Sequence, residues 1–139
     1  MKLAEDGQRV LVRIEVGEKL PDALVELAKV RGWGSASILG LGAVKGVTLA
    51  YYDLPNRKYV NHPVDGIVEL VSLVGNLAIF NGAPIWHLHC SVADEHGSLK
   101  GGHLVTLEVA VTVECWIHPG DQPVTRRYDE AAGLNLLDL

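Results

Sequence analysis

Residues 85–93 read Ile85-Trp86-His87-Leu88-His89-Cys90-Ser91-Val92-Ala93. The even-numbered positions of this segment are all apolar, whereas His87, His89 and Ser91 stand between them. Apolar residues at every second position are typical of a β-strand, because successive side chains of a strand point to opposite sides of the sheet. The segment therefore predicts a strand with one apolar face and one face that carries two histidines.

Outward from this segment, most of the chain repeats the β pattern. Short β-rich runs recur at 8–16, 35–39, 43–52, 68–80 and 103–117. In the first run, alternate residues form one apolar face, namely Val10, Val12, Ile14 and Val16. The glycines Gly40 and Gly42 are interpreted as a break between the second and third runs. Strands at intervals of roughly ten residues predict a curved, mainly antiparallel β-sheet.

One segment departs from this pattern and has the spacing of a helix. Leu20, Leu24 and Leu27 recur at helical intervals around residues 21–31. Pro21 suits the first turn, and Gly32 suits the position just after the last turn. The sequence therefore predicts an α+β fold, with one main helix packed on the curved sheet.

Length and composition restrict the class of protein. With 139 residues, 48% of them hydrophobic and 21% charged, the chain is predicted to form a single domain over 1–139 and not a disordered chain. No run approaches the roughly 20 apolar residues needed to cross a bilayer, and residues 1–7 lack the apolar core of a signal peptide. The expectation is a cytoplasmic protein without membrane contact. The apolar segment 133–139 is expected to dock on the core or on a neighbouring subunit.

The charge balance argues against a DNA-binding protein. Twelve Lys and Arg residues stand against seventeen Asp and Glu residues, which gives a net charge of −5. The basic residues are scattered, and the densest pair is Arg126-Arg127. Proteins that bind duplex DNA usually gather basic residues that neutralise phosphates. The AT-hook core Arg-Gly-Arg-Pro is absent, so we do not expect the chain to bind DNA unaided.

The histidines of the opening segment suggest a metal site. His87 and His89 share one face of the predicted strand, and His103 follows fourteen residues later, after Gly101-Gly102. If the two strands form a hairpin, His103 can approach the pair. Three neutral imidazoles with an open fourth position are typical of a catalytic or ligand-binding Zn²⁺ site.

The metal site has an alternative, because the alternation of apolar residues in the second strand places His103 on the core face. His103 has the same parity as residues interpreted as core-facing, namely Val105, Leu107, Val109, Val111 and Val113. A bulge at Gly101-Gly102 would turn it towards the other histidines. Otherwise the three histidines are simply hydrogen-bonded at a sheet edge. His62, His96 and His118 lie beside prolines or in turns and are predicted to be exposed.

No catalytic residue can be assigned from the sequence. Glu69, Glu108 and Glu114 interrupt apolar strands, so each is expected to face solvent or to have a partner. One of them could act as a general base or orient a metal-bound histidine. Sequence motifs for a serine nucleophile, a phosphate-binding loop or a dinucleotide are absent. Enzymatic activity therefore stays uncertain, and a binding protein is favoured.

Four segments, taken together and in order, resemble a known family. They are Ser37-Ile38-Leu39-Gly40-Leu41-Gly42-Ala43-Val44, Glu69-Leu70-Val71-Ser72-Leu73-Val74-Gly75-Asn76, His87-Leu88-His89-Cys90-Ser91-Val92-Ala93-Asp94 and Gly101-Gly102-His103-Leu104. The ending, Arg127-Tyr128-Asp129 followed by Gly133, is similar as well. The chain resembles the Plants and Prokaryotes Conserved (PPC or PCC) domain, in its stand-alone prokaryotic type.

The resemblance implies an α+β fold, assembly as a homotrimer and, in some prokaryotic members, a metal held by the histidines that match His87, His89 and His103. Zn²⁺ or a similar divalent ion is the expected cofactor. In plant members the domain follows AT-hooks that grip DNA, and it contacts transcription factors. The matching segment here, residues 66–73, has Ile67 where plant members have an arginine.

Three functional hypotheses follow. The first is a homotrimeric module that binds a metal or a small ligand through the three histidines. The second is a DNA-associated regulatory protein, as stand-alone members of the family are often labelled. The third is a cupin-like metalloenzyme, because the spacing of Gly82, His87, His89, Asp94 and Gly101 approaches the first cupin motif. A second cupin motif, with a further histidine and an asparagine downstream, is missing.

Overall fold

A computed structural model describes all 139 residues and contains nine strands and one helix. The strands are β1 (Lys2–Asp6), β2 (Arg9–Ile14), β3 (Lys19–Leu20), β4 (Ala36–Asp53), β5 (Lys58–Phe80), β6 (Ala83–Ala93), β7 (Leu99–Pro119), β8 (Thr125–Asp129) and β9 (Leu134–Asp138), and the helix is α1 (Asp22–Arg31). The chain is thus mostly β-sheet with one short helix, in agreement with the predicted α+β class. No helix is long and apolar enough to span a membrane.

All nine strands belong to one curved sheet. Its main path runs β1-β2-β7-β4-β5-β8-β9, while β3 pairs with β7 and β6 pairs with both β5 and β7. Because β4 also pairs with β5 and β7, the four long strands form a closed ring of pairings. Every pairing is antiparallel except a single parallel pair between β5 and β8. Strand closure of this kind surrounds a core with sheet on most sides.

The core lies inside this ring and beneath the helix. It is one continuous cluster of buried apolar side chains that includes Leu24 and Leu27 of α1 and Trp86 of β6. The indole Nε1–H of Trp86 donates a hydrogen bond of 3.0 Å to the carbonyl oxygen of Leu24, which ties the helix to the sheet. The helix ends as predicted, with Gly32 in the left-handed conformation at φ 66°.

Two strand boundaries differ from the sequence-based expectation. The glycines Gly40 and Gly42 do not end a strand, because β4 runs through them with a shift of register. A Cβ atom on Gly42 would lie only 2.1 Å from the carbonyl oxygen of Thr112, so this glycine permits a close approach of β7. In addition, β2 ends at Ile14 and the chain turns, which leaves Val16 exposed rather than on the core face.

The end of the chain forms a hairpin of its own. Strands β8 and β9 pair with each other from Thr125 to Asp138, and the hairpin joins the sheet through the pair Ile79 and Thr125. The apolar segment 133–139 therefore pairs with β8, but none of its residues belongs to the core cluster. Its last residue, Leu139, remains almost fully exposed.

Candidate metal centre

Strand β6 places His87 and His89 on the side of the sheet that faces away from the core. Their neighbours Trp86 and Leu88 are buried, whereas His87 is half-buried and His89 is exposed. The alternation of the sequence thus continues in the structure. The two imidazole centroids are 5.1 Å apart, so both rings project into the same space.

The third histidine comes from the neighbouring strand. His103 of β7 lies directly opposite His89 in the register of the β6–β7 pair. Its ring centroid is 5.2 Å from that of His87 and 5.6 Å from that of His89. One potential ligand atom from each histidine lies within 4.8 Å of the other two. The structure therefore brings the three side chains into one cluster.

The bulge considered at Gly101-Gly102 is absent. Residues 99–103 of β7 pair evenly with β6, without any shift of register. The irregularity lies downstream, where Leu104 and Thr106 of β7 face the consecutive residues Leu49 and Thr48 of β4. The extra residue between them is Val105, and one extra residue reverses the face on which the preceding side chains lie.

The core face of β7 also differs from the sequence-based assignment at two positions. Val105, which the alternation placed in the core, is 38% exposed at this shift, and Val111 is 62% exposed at a second register shift, between the pairs Gly42–Val113 and Val44–Val109. Leu104 is buried instead. Gly102 has a different role from the expected one, since a Cβ atom there would lie 2.9 Å from the carbonyl oxygen of Ala50 on β4.

The electrostatics of the cluster favour neutral imidazoles. Burial lowers the pKa of His87 to about 4, and smaller contributions come from His103, Arg126 and His89, whose protonated forms repel a proton on His87. The pKa of His103 is lowered as well, chiefly by burial and then by His89. Both rings are therefore neutral at pH 7, and the neutral imidazole is the form that binds metal ions.

The cluster also contains a buried polar atom without a partner. The Nδ1 atom of His103 is buried and makes no hydrogen bond. Such an atom costs about 1–3 kcal/mol unless something satisfies it. The ring is held by a different contact, a stacked arrangement with Tyr59 whose centroid lies 4.8 Å away. A set of three imidazoles with unsatisfied nitrogen fits a divalent ion of the zinc type.

A cavity of about 510 Å³ lies beside the cluster. His87 and His103 form part of its wall, and the C-terminal hairpin contributes Arg126 and Leu134. Sequence reasoning missed these hairpin residues as parts of a site. In the sequence, Arg126 stands out only as half of the densest basic pair, and no local signal connects it to residues 87–103.

The remaining candidate residues lie elsewhere. Glu69 and Glu114 are exposed, and Glu108 pairs with Lys45 at 3.1 Å. None of the three is hydrogen-bonded to a histidine of the cluster, so they satisfy the expectation of solvent or a partner but do not orient a ligand. His62, His96 and His118 are exposed, as predicted.

Two further groups near the cluster serve the structure. Asp94 accepts hydrogen bonds of 2.9 Å from the backbone N–H groups of His96 and Ser98, and thereby closes the turn between β6 and β7. Cys90 is buried on the core face, and burial raises its pKa to about 11. Neither belongs to the histidine cluster, which removes support for the cupin-like arrangement.

Comparisons with known proteins give a consistent result. The family model described as the Plants and Prokaryotes Conserved (PCC) domain matches residues 1–119. No curated protein sequence matches the chain significantly.

Several solved structures share the whole fold. A plant- and prokaryote-conserved (PPC) protein from Pyrococcus horikoshii is 30% identical with a TM-score of 0.88, over 99% of this chain and 94% of that one. A metal-containing protein from Archaeoglobus fulgidus is 31% identical with a TM-score of 0.87, over 95% of this chain and 94% of that one. A candidate DNA-binding protein from Bacteroides thetaiotaomicron is 26% identical with a TM-score of 0.94, over 99% of this chain and 96% of that one.

Proposed function

We propose a function on the premise that the chain belongs to the Plants and Prokaryotes Conserved domain family: it is a metal-binding module that holds one divalent ion on His87, His89 and His103. The observation that carries the proposal is the cluster itself, in which one ligand atom from each residue lies within 4.8 Å of the others. The description of the Archaeoglobus relative as a metal-containing protein supports it. Zn²⁺ is the ion that suits three imidazoles best.

Three protein ligands leave a position for water or a small molecule. A bound Zn²⁺ ion would supply a positive centre that attracts and orients such a ligand. The chain's own contribution is to keep His87 and His103 neutral by burial and to hold His103 against Tyr59. No carboxylate, serine, threonine or cysteine side chain lines the adjoining cavity. Ligand binding, rather than catalysis by an acid–base pair, is therefore the proposed role.

The test is a metal analysis of untagged protein purified without chelators. We expect close to one equivalent of a divalent ion per chain, and its loss in His89→Ala, because two imidazoles do not suffice for a stable site. The matched control is His62→Ala, which removes an exposed histidine outside the cluster. Unchanged metal content in His89→Ala would show that the ion, if present, lies elsewhere.

We further propose that the protein assembles as a homotrimer, as the family resemblance implies. An apolar groove of about 540 Å³ runs between the β1–β2 hairpin and β4, and its walls include Leu41 and Trp116. Leu41 is 56% exposed and Trp116 is 38% exposed. Apolar surface of this kind is typical of contacts between subunits.

Light scattering tests the assembly. We expect a mass three times that of the 15.0 kDa chain, and dissociation in Leu41→Glu, since a buried charge at a subunit contact is costly. Val30→Glu is the control, because Val30 is an equally apolar but highly exposed residue of the helix. A wild-type monomer or dimer at micromolar concentration would contradict the trimer.

The alternative of a DNA-associated protein has little support from the surface. Seven of the twelve basic side chains already pair with carboxylates of the same chain. Few phosphate contacts are then available, and affinity for DNA depends on such contacts. We therefore propose that the chain alone does not bind duplex DNA. Submicromolar binding of an A·T-rich duplex at about 150 mM salt would overturn this statement.

A further inference from the structure

Arg126 differs from every other basic residue of the chain. It is the only one of the twelve Lys and Arg residues that is not exposed. No carboxylate lies within 4.0 Å of its guanidinium group, whereas its neighbour Arg127 pairs with Asp138 at 3.1 Å. A half-buried charge without a counter-ion is unfavourable, and such charges usually have a partner. The missing partner calls for an explanation.

The guanidinium group is held in place by two neutral acceptors. Its Nη1 donates to the carbonyl oxygen of Asn135 at 2.9 Å, and its Nη2 donates to Oδ1 of Asn76 at 2.6 Å. Asn76 lies directly opposite His87 in the β5–β6 pair. The Nε atom of Arg126 is buried and makes no hydrogen bond. These contacts fix the position of the guanidinium group beside the histidine cluster but leave its charge uncompensated.

The cavity shared by Arg126 and the histidines contains no negative charge. Eleven residues line it, and none of them is acidic. Arg126 is close enough for its charge to lower the pKa of His87. A divalent ion on the histidines would add a second positive centre to the same space. The guanidinium group and the ion would then be two positive charges that are partly removed from water. Attraction between opposite charges is stronger in such surroundings, so an anion in this space would be favoured.

The remaining walls indicate what kind of anion fits. Apolar side chains from two strands face the cavity, among them Ile85, Leu134 and Leu136. Its volume of about 510 Å³ falls in the range of roughly 300–1,000 Å³ that is typical of small-molecule sites. A fully polar ion such as phosphate would leave these apolar walls without contacts. An organic acid would bury its carbon skeleton against them.

We propose that this cavity binds a small organic carboxylate, which Arg126 recognises through its guanidinium group and the metal ion attracts at its open position. The second half of the statement rests on the proposed function. Arginine suits this role because its planar fork of N–H donors matches the two oxygens of a carboxylate. The apolar body of the ligand packs against Ile85, Leu134 and Leu136.

The test uses calorimetric titration of the zinc-loaded protein with benzoate, with its uncharged isostere benzamide, and with inorganic phosphate. We expect benzoate to bind at least about tenfold more tightly than either of the other two, since a hydrogen bond to a charged partner contributes about 1.5–3 kcal/mol. Benzamide binding as tightly as benzoate, or phosphate binding more tightly, would overturn the proposal. This comparison uses only the wild-type chain, so it does not depend on a variant that folds.

Variants then identify the recognising residue. Arg126→Met should weaken benzoate binding about tenfold or more, and Arg126→Lys, which keeps the charge, should retain part of the affinity. Arg127→Gln is the control, because Arg127 is exposed and lies outside the cavity. Equal benzoate affinity in Arg126→Met and wild type would overturn the proposal. So would equal losses in the Lys and Met variants, which indicate a structural role alone.

The metal content of every sample separates this inference from the proposed function. If the wild-type protein takes up no metal, the proposed function fails, and Arg126-dependent binding of benzoate to metal-free protein would still support the arginine site. If metal content is complete and benzoate binding does not depend on Arg126, the carboxylate proposal alone fails.

Discussion

The two faces of strand β6 are built from alternate residues of one segment but differ in how their polar groups are satisfied. On the inner face, Trp86 and Leu88 are at most 5% exposed, and the indole N–H has a partner in the carbonyl oxygen of Leu24. On the outer face, the side chains of His87 and His89 make no hydrogen bond within the chain. The adjoining His103 even has a buried nitrogen without a partner.

This difference separates stability from binding along a single strand. Groups that are close-packed and hydrogen-bonded stabilise the fold, and they have no free donor, acceptor or exposed surface with which to bind a ligand. Unsatisfied groups cost folding free energy and gain it back only when an ion or molecule binds. Substitution of the inner residues should therefore lower the free energy of unfolding, whereas substitution of the outer histidines should lower the metal content.

The largest effect is expected on the inner face. Trp86→Ala should lower the free energy of unfolding by about 3–5 kcal/mol, because it leaves a large cavity and also removes the hydrogen bond to Leu24. His89→Ala should change the stability of the metal-free protein by less than about 1 kcal/mol, since its side chain is exposed. Urea titrations of both variants measure the contrast. Similar losses in the two would mean that the faces do not differ as described.

The outer face should contribute to stability only when a metal ion is added. At a free Zn²⁺ concentration of about 100 times its dissociation constant, the unfolding free energy should rise by about 2.7 kcal/mol. The rise should vanish in His103→Ala and persist in His118→Ala, because His118 is exposed and outside the cluster. Thermal or urea unfolding with and without Zn²⁺ provides the measurement. An equal rise in both variants would place the stabilising ion elsewhere.

Acid should lower the free energy of unfolding of the metal-free protein through His87 on the outer face. The pKa of His87 is about 4 in the folded chain, against an ordinary value of 6.5. Between these values the unfolded chain binds a proton that the folded chain does not, so stability is complete above pH 6.5 and is lost as the pH falls towards 4. Solvent screening of the partly exposed ring limits the loss to about 1–2 kcal/mol.

The control for this pH effect is His87→Gln, which cannot titrate. The difference between its stability and that of wild type, followed by urea unfolding from pH 7.5 to 4, isolates the contribution of His87. A difference that does not change across this range would contradict a lowered pKa.

The smallest effect concerns a satisfied pair on the outer face. The hydroxyl oxygens of Ser72 and Ser91 are 2.9 Å apart across the β5–β6 pair. Ser72→Ala should cost about 1 kcal/mol and leave metal content unchanged. The double variant with Ser91→Ala should cost little more, because neither hydroxyl is then left alone. Additive losses would show that the two hydroxyls do not interact.

Local patterns predicted the parts of the molecule that depend on neighbours in sequence. The helix was predicted because Pro21, the apolar spacing and Gly32 all act within one segment. The outer position of His87 and His89 follows from the period of the strand. Strand β1 has no such pattern, since all five of its residues are exposed, and it is defined only by its pairing with β2.

The rest depends on contacts between distant segments. Val105 determines the side of the sheet on which His103 lies, because it is the extra residue of β7 in the pairing with β4. Its identity in the sequence does not indicate this role. The Gly101-Gly102 pair suggested a possible position for a bulge, but the β6–β7 register has no shift there. Arg126 reaches Asn76 across 50 positions of sequence, and no spacing rule connects the two.

The C-terminal hairpin has a consequence for how relatives of this protein can diverge. All three histidines fall within residues 1–119, the part that the family model matches, whereas Arg126 and Leu134 follow it. Only one residue pair, Ile79 and Thr125, joins its strands to the rest of the sheet, and the side chain of Arg126 adds a hydrogen bond to Asn76. Substitutions in the hairpin can therefore change one wall of the cavity while the three histidines stay the same. Under the proposed function, relatives would then differ in the small molecule that they bind while they keep the same three histidines.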